Sequence, residues 1–543
     1  MDLLLPHPSN SAPLTVLGFL ERAATAYGDS PSIVHTATPT TWSETYRRCL
    51  RMRSSVSSTA AIQKGQVVSV VGPNVPSVYE LQFAVPMSGA ILNNINPRLD
   101  ANALSVLLDH SGSKLVFVDH KSKPLVLEAV EILRKKGGRA PLLVLLHDDD
   151  DGNAKLDDEN FIGTYEGLME SGDPSFKWVR PRNEQEPMVL NYTSGTTSSP
   201  KGVLLSHRAA YINTISSLID WSVPNRPVYL WTLPIFHANG WTYTWGMAAV
   251  GGKNVCMRRP DVSQEVFDLM EKHDVTHMCA APELLNRLVI HRKERPLKKP
   301  VRVMTGGSSP KKISEYESLG FDVSHGYGMT EVGGMMTSCA WKPEWNVLDA
   351  MERARLKSRQ GVRTLGISEV DVIDPETGES LKHDGVSQGE IVVRGMGMML
   401  GYYKNPEGTA ECMKSDGWFY TGDLGVIHED NYIEIKGRSK DVIICGGENI
   451  NSIEVETVLC MHPNVKEAAV VARPDSFWGE VAYAFVCLKD GRGGKVNEKE
   501  IRDHCKEKLP SYMVPRDVEF VEDLPKTATG KIQKFILREK WLK

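Results

Sequence analysis

Short apolar runs separated by segments with helical spacing recur along this chain, and they restrict its fold more than any other feature. A continuous apolar run of about 4–8 residues is typical of a strand buried on both faces. Strands of that kind, alternating with helices, form parallel sheets that helices cover on both sides. The runs include Gln66–Gly72, Lys114–Val118 and Leu142–Leu146, and the strand–helix rhythm resumes through Tyr229–Leu233, Val301–Met304 and Asp322–Ser324. We therefore predict an α/β protein with a doubly wound, mostly parallel sheet.

The hydrophobic pattern of the sequence changes between Gly366 and Lys436, where apolar and polar residues alternate. Alternation with a period of two indicates antiparallel strands that bury one face. The next stretch, residues 437–441, is polar and dense in charge, which is typical of a domain boundary. We therefore predict a large N-terminal lobe over residues 1–436, with doubly wound mixed sheets plus an antiparallel β part. After this lobe, we predict a hinge over residues 437–441 and then a small C-terminal α+β domain over residues 442–543.

Composition excludes several classes of protein. The 543 residues are 41% hydrophobic and 24% charged, the balance of a globular enzyme large enough for at least two lobes. The net charge of -5 and the lack of a basic stripe argue against a nucleic-acid partner. No apolar run approaches the length of about 18 residues that a transmembrane segment requires. Nine cysteines without C-x-x-C spacing indicate reduced thiols, with neither a zinc site nor a disulfide framework.

A loop rich in hydroxyls and glycine, Tyr192–Gly202, follows the apolar run Met188–Leu190. Glycine lets main-chain N–H groups turn toward an anion, hydroxyls donate further hydrogen bonds, and Lys201 adds a positive charge. It is not the nucleotide P-loop, because that motif needs Ser or Thr after its Gly-Lys pair, whereas Gly202 follows Lys201 here. Loops of this composition are also common as solvated connections, so other motifs must decide whether phosphate binds.

The order Tyr-Thr-Ser-Gly-Thr-Thr-x-x-Pro-Lys-Gly resembles the signature of the adenylate-forming superfamily. That superfamily includes acyl-CoA synthetases, 4-coumarate-CoA ligases, luciferases and peptide-synthetase adenylation domains. Further stretches match the family in the expected order: Thr305–Pro310, His325–Glu331, Tyr420–Asp423, Gly437–Asp441 and Pro525–Ile532. The resemblance implies ATP, Mg²⁺ and coenzyme A as ligands of the site. It also implies that the small C-terminal domain is mobile and rotates about the hinge.

The resemblance assigns a chemical role to several residues of these motifs. Tyr327 offers a stacking face to a base, and Thr330 contacts the α-phosphate. Glu331 is a hard oxygen ligand suited to Mg²⁺. Asp423 accepts hydrogen bonds from both ribose hydroxyls, and Arg438 also binds the ribose. The full set implied for ATP is Thr193, Ser194, Gly195, Thr196, Thr197, Lys201, Gly307, Ser308, His325, Gly326, Tyr327, Thr330, Asp423, Arg438 and Lys531.

A second group of residues is implied for the acyl chain and for the thiol. A lone histidine beside aromatic residues is more often a packed core histidine than a base. The resemblance places His237 at the junction of the acyl pocket and the thiol channel, where a gate is favoured over a proton acceptor, that is, a general base. The acyl pocket is predicted to contain His237, Ala238, Gly240, Trp241, Gly306, Gly333 and Gly334. The residues implied for coenzyme A are Ser439, Lys440, Gly446 and Gly447. The implied catalytic residues are Lys531, Lys440, His237 and Thr330.

Together these motifs predict an acid-thiol ligase, most similar to the plant acyl-activating branch. It would use ATP to turn a small carboxylate into an acyl adenylate and then transfer the acyl group to coenzyme A. Short-chain, medium-chain or branched fatty acids are the favoured substrates, and benzoate- or cinnamate-type acids are the alternative. The rival interpretations are a stand-alone adenylation domain that loads a carrier protein, a luciferase-like oxidative reaction, and a silent binding protein. No oligomeric state is predicted.

The two ends of the chain bear on its location. The N-terminal Met1–Pro6 has an acidic residue where a signal peptide needs a basic region, so secretion is not expected. The last three residues, Trp541–Lys543, differ from the Ser-Lys-Leu type of peroxisomal address. If Lys543 is the native C-terminus, we expect a cytoplasmic enzyme, whereas a truncated C-terminus leaves a peroxisomal location open.

Lys531→Ala should lower the rate of adenylation by about two or more orders of magnitude. The family's lysine at this position spans the substrate carboxylate and the α-phosphate, where an ammonium group stabilises the charge that grows in the transition state. Thioester formation from a preformed adenylate should be retained. The measurement supplies synthetic acyl-AMP and coenzyme A to the variant, and an equal loss in both half-reactions would contradict the assignment of Lys531 to adenylation alone.

Overall fold

The structure of the protein, a computed structural model, describes residues 7, 9–35, 39–146, 158–193, 200–260, 262–292, 296–445, 448–489, 496–526 and 532–541. Within these ranges, the side chains of Asn239, Trp241, Arg292, Ser439, Asn449 and Trp541 are left out of the description. Among the described residues, no helix is both long enough and apolar enough to cross a membrane.

The helices of the described ranges are α1 (Leu17–Ala26), α2 (Trp42–Ser58), α3 (Pro76–Met87), α4 (Ala101–Ser111), α5 (Lys123–Lys135), α6 (Tyr165–Ser171), α7 (His207–Asp220), α8 (Ala238–Val250), α9 (Ser263–His273), α10 (Pro282–Arg292), α11 (Pro310–Ser318), α12 (Ala350–Ser358), α13 (Pro406–Cys412), α14 (Ser452–Met461), α15 (Glu498–Lys506) and α16 (Lys534–Arg538).

The strands are β1 (Pro31–Val34), β2 (Thr40–Thr41), β3 (Val67–Val71), β4 (Ile91–Ile95), β5 (Leu115–Asp119), β6 (Leu142–Leu146), β7 (Gly163–Thr164), β8 (Pro187–Thr193), β9 (Lys201–Ser206), β10 (Val228–Trp231), β11 (Lys253–Cys256), β12 (His277–Cys279), β13 (Val301–Thr305), β14 (Phe321–Met329), β15 (Gly334–Ser338), β16 (Val362–Arg363), β17 (Ile367–Ile373), β18 (Gly389–Gly395), β19 (Gly401–Tyr402), β20 (Phe419–Ile427), β21 (Ile433–Arg438), β22 (Val442–Cys445), β23 (Glu448–Asn451), β24 (Val465–Asp475), β25 (Gly479–Leu488) and β26 (Asp517–Phe520).

The first large sheet has the strand order β16-β15-β14-β13-β12-β10-β11-β1-β2. Its central strands are parallel, as the apolar runs predict: β13 pairs in this sense with both β12 and β14. β14 stays parallel to β13 as far as His325, and from Gly326 onward it pairs antiparallel with β15. The motif residues of β13 and β14 therefore lie at the carboxyl end of this sheet, where open α/β sheets bind ligands.

The second large sheet has the order β19-β9-β8-β4-β3-β5-β6-β7. β3, β4, β5 and β6 are parallel, and β8 continues this direction beside β4. The next strand, β9, turns back against β8 as a hairpin. The predicted phosphate loop is the connection of this hairpin, so it also starts at the carboxyl end of a parallel strand.

The remaining strands form two smaller sheets. The alternating region forms an antiparallel sheet in the order β17-β18-β20-β21. The C-terminal part forms a sheet in the order β23-β22-β25-β24, with β26 beside β25, and α14, α15 and α16 accompany it. The chain changes from one sheet to the other between Arg438 and Val442 through a short 3₁₀ turn. The predicted α/β class, with an antiparallel part and a small α+β C-terminal part, is confirmed.

Two helices fill the space between the large sheets. α3 follows β3 of the second sheet and is buried from Ser77 to Met87, as expected for a helix that is apolar on most faces. α8 follows β10 of the first sheet, and its Thr244 carbonyl accepts a 2.9 Å hydrogen bond from the hydroxyl of Tyr79 in α3. Trp245 of α8 donates from its indole N–H to the carbonyl oxygen of Gln82 over 3.1 Å. The two sheets are therefore joined through the α3–α8 contact.

The first turn of α8 packs directly against the main chain that precedes it. A Cβ atom built on Gly240 would lie 1.8 Å from the carbonyl oxygen of Ile235 and 2.6 Å from its carbonyl carbon. A main-chain group cannot move aside as the end of a flexible side chain can. The approach of α8 to the segment that carries His237 therefore requires glycine at residue 240.

Gly240→Ala should lower the melting temperature, whereas the matched variant Gly18→Ala should leave it unchanged or raise it. Both residues lie in the first turn of a helix, and alanine is favoured over glycine within a helix by up to about 0.5–1 kcal/mol. An added Cβ at Gly18 would meet no described atom within 4 Å, so that gain is not offset there. At Gly240 the steric cost of about 1–3 kcal/mol exceeds the gain. Thermal melting of both variants beside the wild type is the measurement, and equal shifts would contradict the packing argument.

Candidate active site

The Gly306–Ser308 turn and His325 lie side by side because Thr305 pairs with His325 in the parallel register of β13 and β14. The main-chain N–H of Ser308 donates to Nε2 of His325 over 3.1 Å, and Nδ1 lies 3.4 Å from the carbonyl oxygen of Arg359. Nε2 is thus an acceptor, which assigns the ring proton to Nδ1. Burial lowers the pKa of His325 to about 4, so the ring is neutral at pH 7. His325 therefore supports the turn as a neutral hydrogen-bonding group.

The same turn has features that suit a bound ligand. Gly307 has φ +66°, a conformation that favours glycine, and a Cβ atom built there would meet no described atom within 4 Å. The side-chain oxygens of Thr305 and Ser308 are buried without a hydrogen-bond partner among the described residues. Because buried polar atoms need partners, a nucleotide with hydrogen-bonding groups fits this turn.

The structure brings Tyr327, Asp423 and Arg438 into one cluster. The hydroxyl of Tyr327 donates to Oδ2 of Asp423, and Nε of Arg438 lies 3.2 Å from Oδ1. Asp423 and Arg438 are opposite each other in the β20–β21 register. Burial and the negative charge of Asp423 raise the pKa of Tyr327 well above its ordinary value, so the phenol remains a donor. A carboxylate oxygen can accept more than one hydrogen bond, so Asp423 retains capacity for sugar hydroxyls.

Thr330 and Glu331 begin a short 3₁₀ turn directly after β14. Glu331 is 7% exposed. Its Oε1 accepts a hydrogen bond of 2.8 Å from the hydroxyl of Tyr402. The ammonium nitrogen of Lys201 lies 5.2 Å from the centroid of the same tyrosine ring. One tyrosine that motif analysis missed therefore contacts both the predicted metal ligand and the predicted phosphate-loop lysine.

The predicted phosphate loop is closed at its base by a pair of strand residues. Thr193 at the end of β8 is paired with Lys201 at the start of β9. Of the loop residues implied for ATP, these two are described. The others, Ser194, Gly195, Thr196 and Thr197, lie outside the described ranges. The structure thus locates both ends of the loop at the carboxyl end of β8.

Two asparagines from the second sheet hold the segment that carries His237. Asn74 follows β3 and makes three hydrogen bonds of 2.8–3.0 Å to the main chain of residues 231–235. Asn191 of β8 donates to the carbonyl oxygen of Phe236 over 2.9 Å. Sequence reasoning missed both asparagines, because neither belongs to a recognised motif position. They fix the predicted acyl segment relative to the phosphate hairpin.

His237 is neutral and a weak base in this setting. Its Nε2 is buried and has no hydrogen-bond partner among the residues that the structure describes. Burial, together with the positive charge of Arg98, lowers the pKa of His237 to about 4. A ring that resists protonation in this way is poorly suited to accept a proton at pH 7. The environment therefore favours the gate over the general base.

Glycine occurs for different reasons at the positions predicted for the acyl pocket. Gly333 has φ +69° and packs on Asn213, whose Nδ2 would lie 2.1 Å from an added Cβ. Gly334 has φ +143° and faces Thr242 of α8, with 3.1 Å between an added Cβ and the threonine hydroxyl. Backbone conformation and packing thus account for glycine at these positions without reference to a ligand. A place in the acyl pocket stays a prediction for Ala238, Gly240, Trp241, Gly306, Gly333 and Gly334.

An ion pair lies near each end of the predicted hinge, and we call these two the hinge ion pairs. On the N-terminal side, Arg438 pairs with Asp423 at 3.2 Å. On the C-terminal side, Asp441 pairs with Arg538 of α16. Lys440 lies between them and is exposed. The predicted residues Gly446, Gly447 and Lys531, and the side chain of Ser439, lie outside the described parts of the chain.

Comparison with known proteins agrees with this arrangement. Residues 20–403 match the model of the AMP-binding enzyme family, and residues 454–531 match that of the AMP-binding enzyme C-terminal domain. The chain is 67% identical to probable acyl-activating enzyme 10 of Arabidopsis thaliana, with 99% of each chain covered. It is 58% identical to a 2-methylpropanoate–CoA ligase of Humulus lupulus, over 99% of this chain and 97% of that protein. The crystal structure of ATP-bound MatB from Rhodopseudomonas palustris has a TM-score of 0.82 at 25% identity, over 97% of this chain and 99% of that one.

The chain therefore belongs to the AMP-binding enzyme family, whose members form adenylates. Within that family it is a member of the plant acyl-activating branch, and its enzyme class is that of the AMP-forming carboxylate–CoA ligases. The family and the enzyme class predicted from the sequence motifs are both confirmed.

Lys440→Pro should retain pyrophosphate exchange with the acid but lose thioester formation. Proline fixes φ near about −65° and removes an N–H group, so the residue could no longer adopt the two backbone states that a rotating domain needs. Lys440→Ala, which removes the charge but not the backbone freedom, is the matched control. The two half-reactions are measured separately, and an equal loss in both for Lys440→Pro would count against a pivot at this residue.

Proposed function

We propose that the protein converts a short-chain or branched aliphatic carboxylic acid, ATP and coenzyme A into an acyl-CoA, AMP and pyrophosphate by way of an acyl adenylate. The observation that carries this proposal is the similarity to the 2-methylpropanoate–CoA ligase, which extends over 99% of this chain. The ATP in the MatB structure supports ATP as the nucleotide. Medium-chain acids remain within the proposed range.

The side chains of the site fit the first half-reaction. A carboxylate is a poor electrophile until one of its oxygens becomes part of a leaving group, which adenylation provides. The cluster of Tyr327, Asp423 and Arg438 would hold the ribose, and Lys201 would face the phosphates. Glu331 would hold Mg²⁺, which neutralises charge on phosphate oxygens when bound. Each of these groups acts on charge and position, as adenylation requires.

A panel of acids tests the proposal. The kcat/KM for thioester formation with 2-methylpropanoate or butanoate should exceed that with benzoate or cinnamate by at least about 10-fold, since even one methylene group in a pocket is worth about 10–200-fold. Pyrophosphate release is followed in parallel, with and without coenzyme A. A preference for aromatic acids would overturn the substrate class. Pyrophosphate release without any thioester formation in the presence of coenzyme A would overturn coenzyme A as the acceptor.

A further inference from the structure

Tyr402 lies at the edge of the second sheet, beside the strand that starts at the phosphate-loop lysine. β19 pairs antiparallel with β9, and Tyr402 is opposite Val203 in this register. The next residue, Tyr403, donates its main-chain N–H to the carbonyl oxygen of Gly202 over 2.7 Å. These bonds fix the backbone of Tyr402 opposite a residue that lies two positions after Lys201.

The side chain of Tyr402 connects two charged groups of opposite sign. Its hydroxyl donates to Oε1 of Glu331 over 2.8 Å, and its ring centroid lies 5.2 Å from Nζ of Lys201. A cation within about 6 Å of a tyrosine ring is attracted by the ring's electron distribution. A phenol keeps its proton at neutral pH, so the hydroxyl of Tyr402 is the donor and the carboxylate oxygen is the acceptor.

Glu331 is held at its main chain as well as at its side chain. Its carbonyl oxygen accepts a hydrogen bond of 2.8 Å from the N–H of Met399, three residues before Tyr402. The bond from Tyr402 occupies Oε1, and a carboxylate has a second oxygen that can bind a cation. Mg²⁺ is held in proteins by one or two carboxylates, with substrate phosphates and water completing its shell. A single buried carboxylate of fixed orientation therefore fits this ion.

We propose that Tyr402 is a positioning residue that orients Glu331 toward Mg²⁺ through its hydroxyl and supports Lys201 through its ring. The proposal rests on the proposed function, because it concerns the ATP step of that reaction. Hydrogen-bond partners of metal ligands set the orientation of the ligand and alter metal affinity by about 10–100-fold. Tyr402 would thus couple the phosphate loop to the metal ligand, although the two motifs are far apart in the sequence.

Calorimetric titration with ATP, in the absence of acid, tests the two contacts separately. Tyr402→Phe keeps the ring and removes the hydroxyl. It should raise the Mg²⁺ concentration needed for half-maximal enhancement of ATP binding by about 10-fold or more, with ATP binding in EDTA unchanged. Tyr402→Leu also removes the ring, and it should weaken ATP binding in EDTA as well, because Lys201 loses its support.

The adjacent Tyr403→Phe is the matched control. Tyr403 packs edge-on against His110, with ring centroids 5.9 Å apart, and its hydroxyl can be removed without touching the Tyr402 bond to Glu331. It should titrate like the wild type. In a Glu331→Gln background, Tyr402→Phe should have no further effect on the Mg²⁺ dependence, because the hydroxyl then has no carboxylate to orient.

Several outcomes would overturn the inference. An unchanged Mg²⁺ dependence in Tyr402→Phe would do so, as would an equal loss of ATP binding with Mg²⁺ and with EDTA, since that pattern indicates general damage. Additive effects of Tyr402→Phe and Glu331→Gln would also contradict it. A wild-type protein whose ATP binding did not respond to Mg²⁺ at all would overturn the inference as well. A wild-type protein that released no pyrophosphate from ATP with any acid of the panel would instead refute the proposed function, so the two failures are distinguishable.

Discussion

The carboxylate of Asp423 is the constraint on which the predicted nucleotide site and the hinge both depend. It joins β14 of the first large sheet, through Tyr327, to β21, the strand that enters the hinge, through Arg438. Asp423 is only 7% exposed, and a buried carboxylate is costly unless it is paired and hydrogen-bonded. The same side chain is the predicted ribose ligand. The predicted sugar recognition and the attachment of the strand that enters the predicted hinge therefore depend on the same carboxylate.

Much of the fold could be predicted because parallel strands buried on both faces leave a local signal. The run Gln66–Gly72 contains β3, and the alternating region after Gly366 forms the antiparallel sheet of β17, β18, β20 and β21. Strand order left no such signal, since it depends on pairing between distant segments. The change of β14 from parallel to antiparallel pairing, between His325 and Gly326, is the clearest case. The motif there is visible in the sequence, but the pairing of β14 with β13 and β15 is not.

The residues of the candidate site likewise include some that the sequence predicts and some that it does not. Residues that belong to compact motifs, such as Tyr327, Glu331 and Asp423, could be selected from the sequence because spacing and chemistry identify them together. Tyr402 could not, because its partner Glu331 is 71 residues earlier in the chain. Asn74 could not either, because it holds a main-chain group 161 residues away. The glycines of the predicted acyl pocket show a related limit, since a small residue looks the same in the sequence whether it makes room for a ligand or for a neighbouring helix.

The hinge ion pairs have a consequence for where the predicted hinge can bend. Arg438 is tied to Asp423 of the N-terminal lobe, and Asp441 is tied to Arg538 of the C-terminal part. Charges in contact are far closer than the screening length of about 8 Å at physiological ionic strength, and partly buried pairs are screened little. Each end of the predicted hinge is thus anchored to a different part of the chain. The freedom of the joint is confined to the two residues between the anchors, 439 and 440.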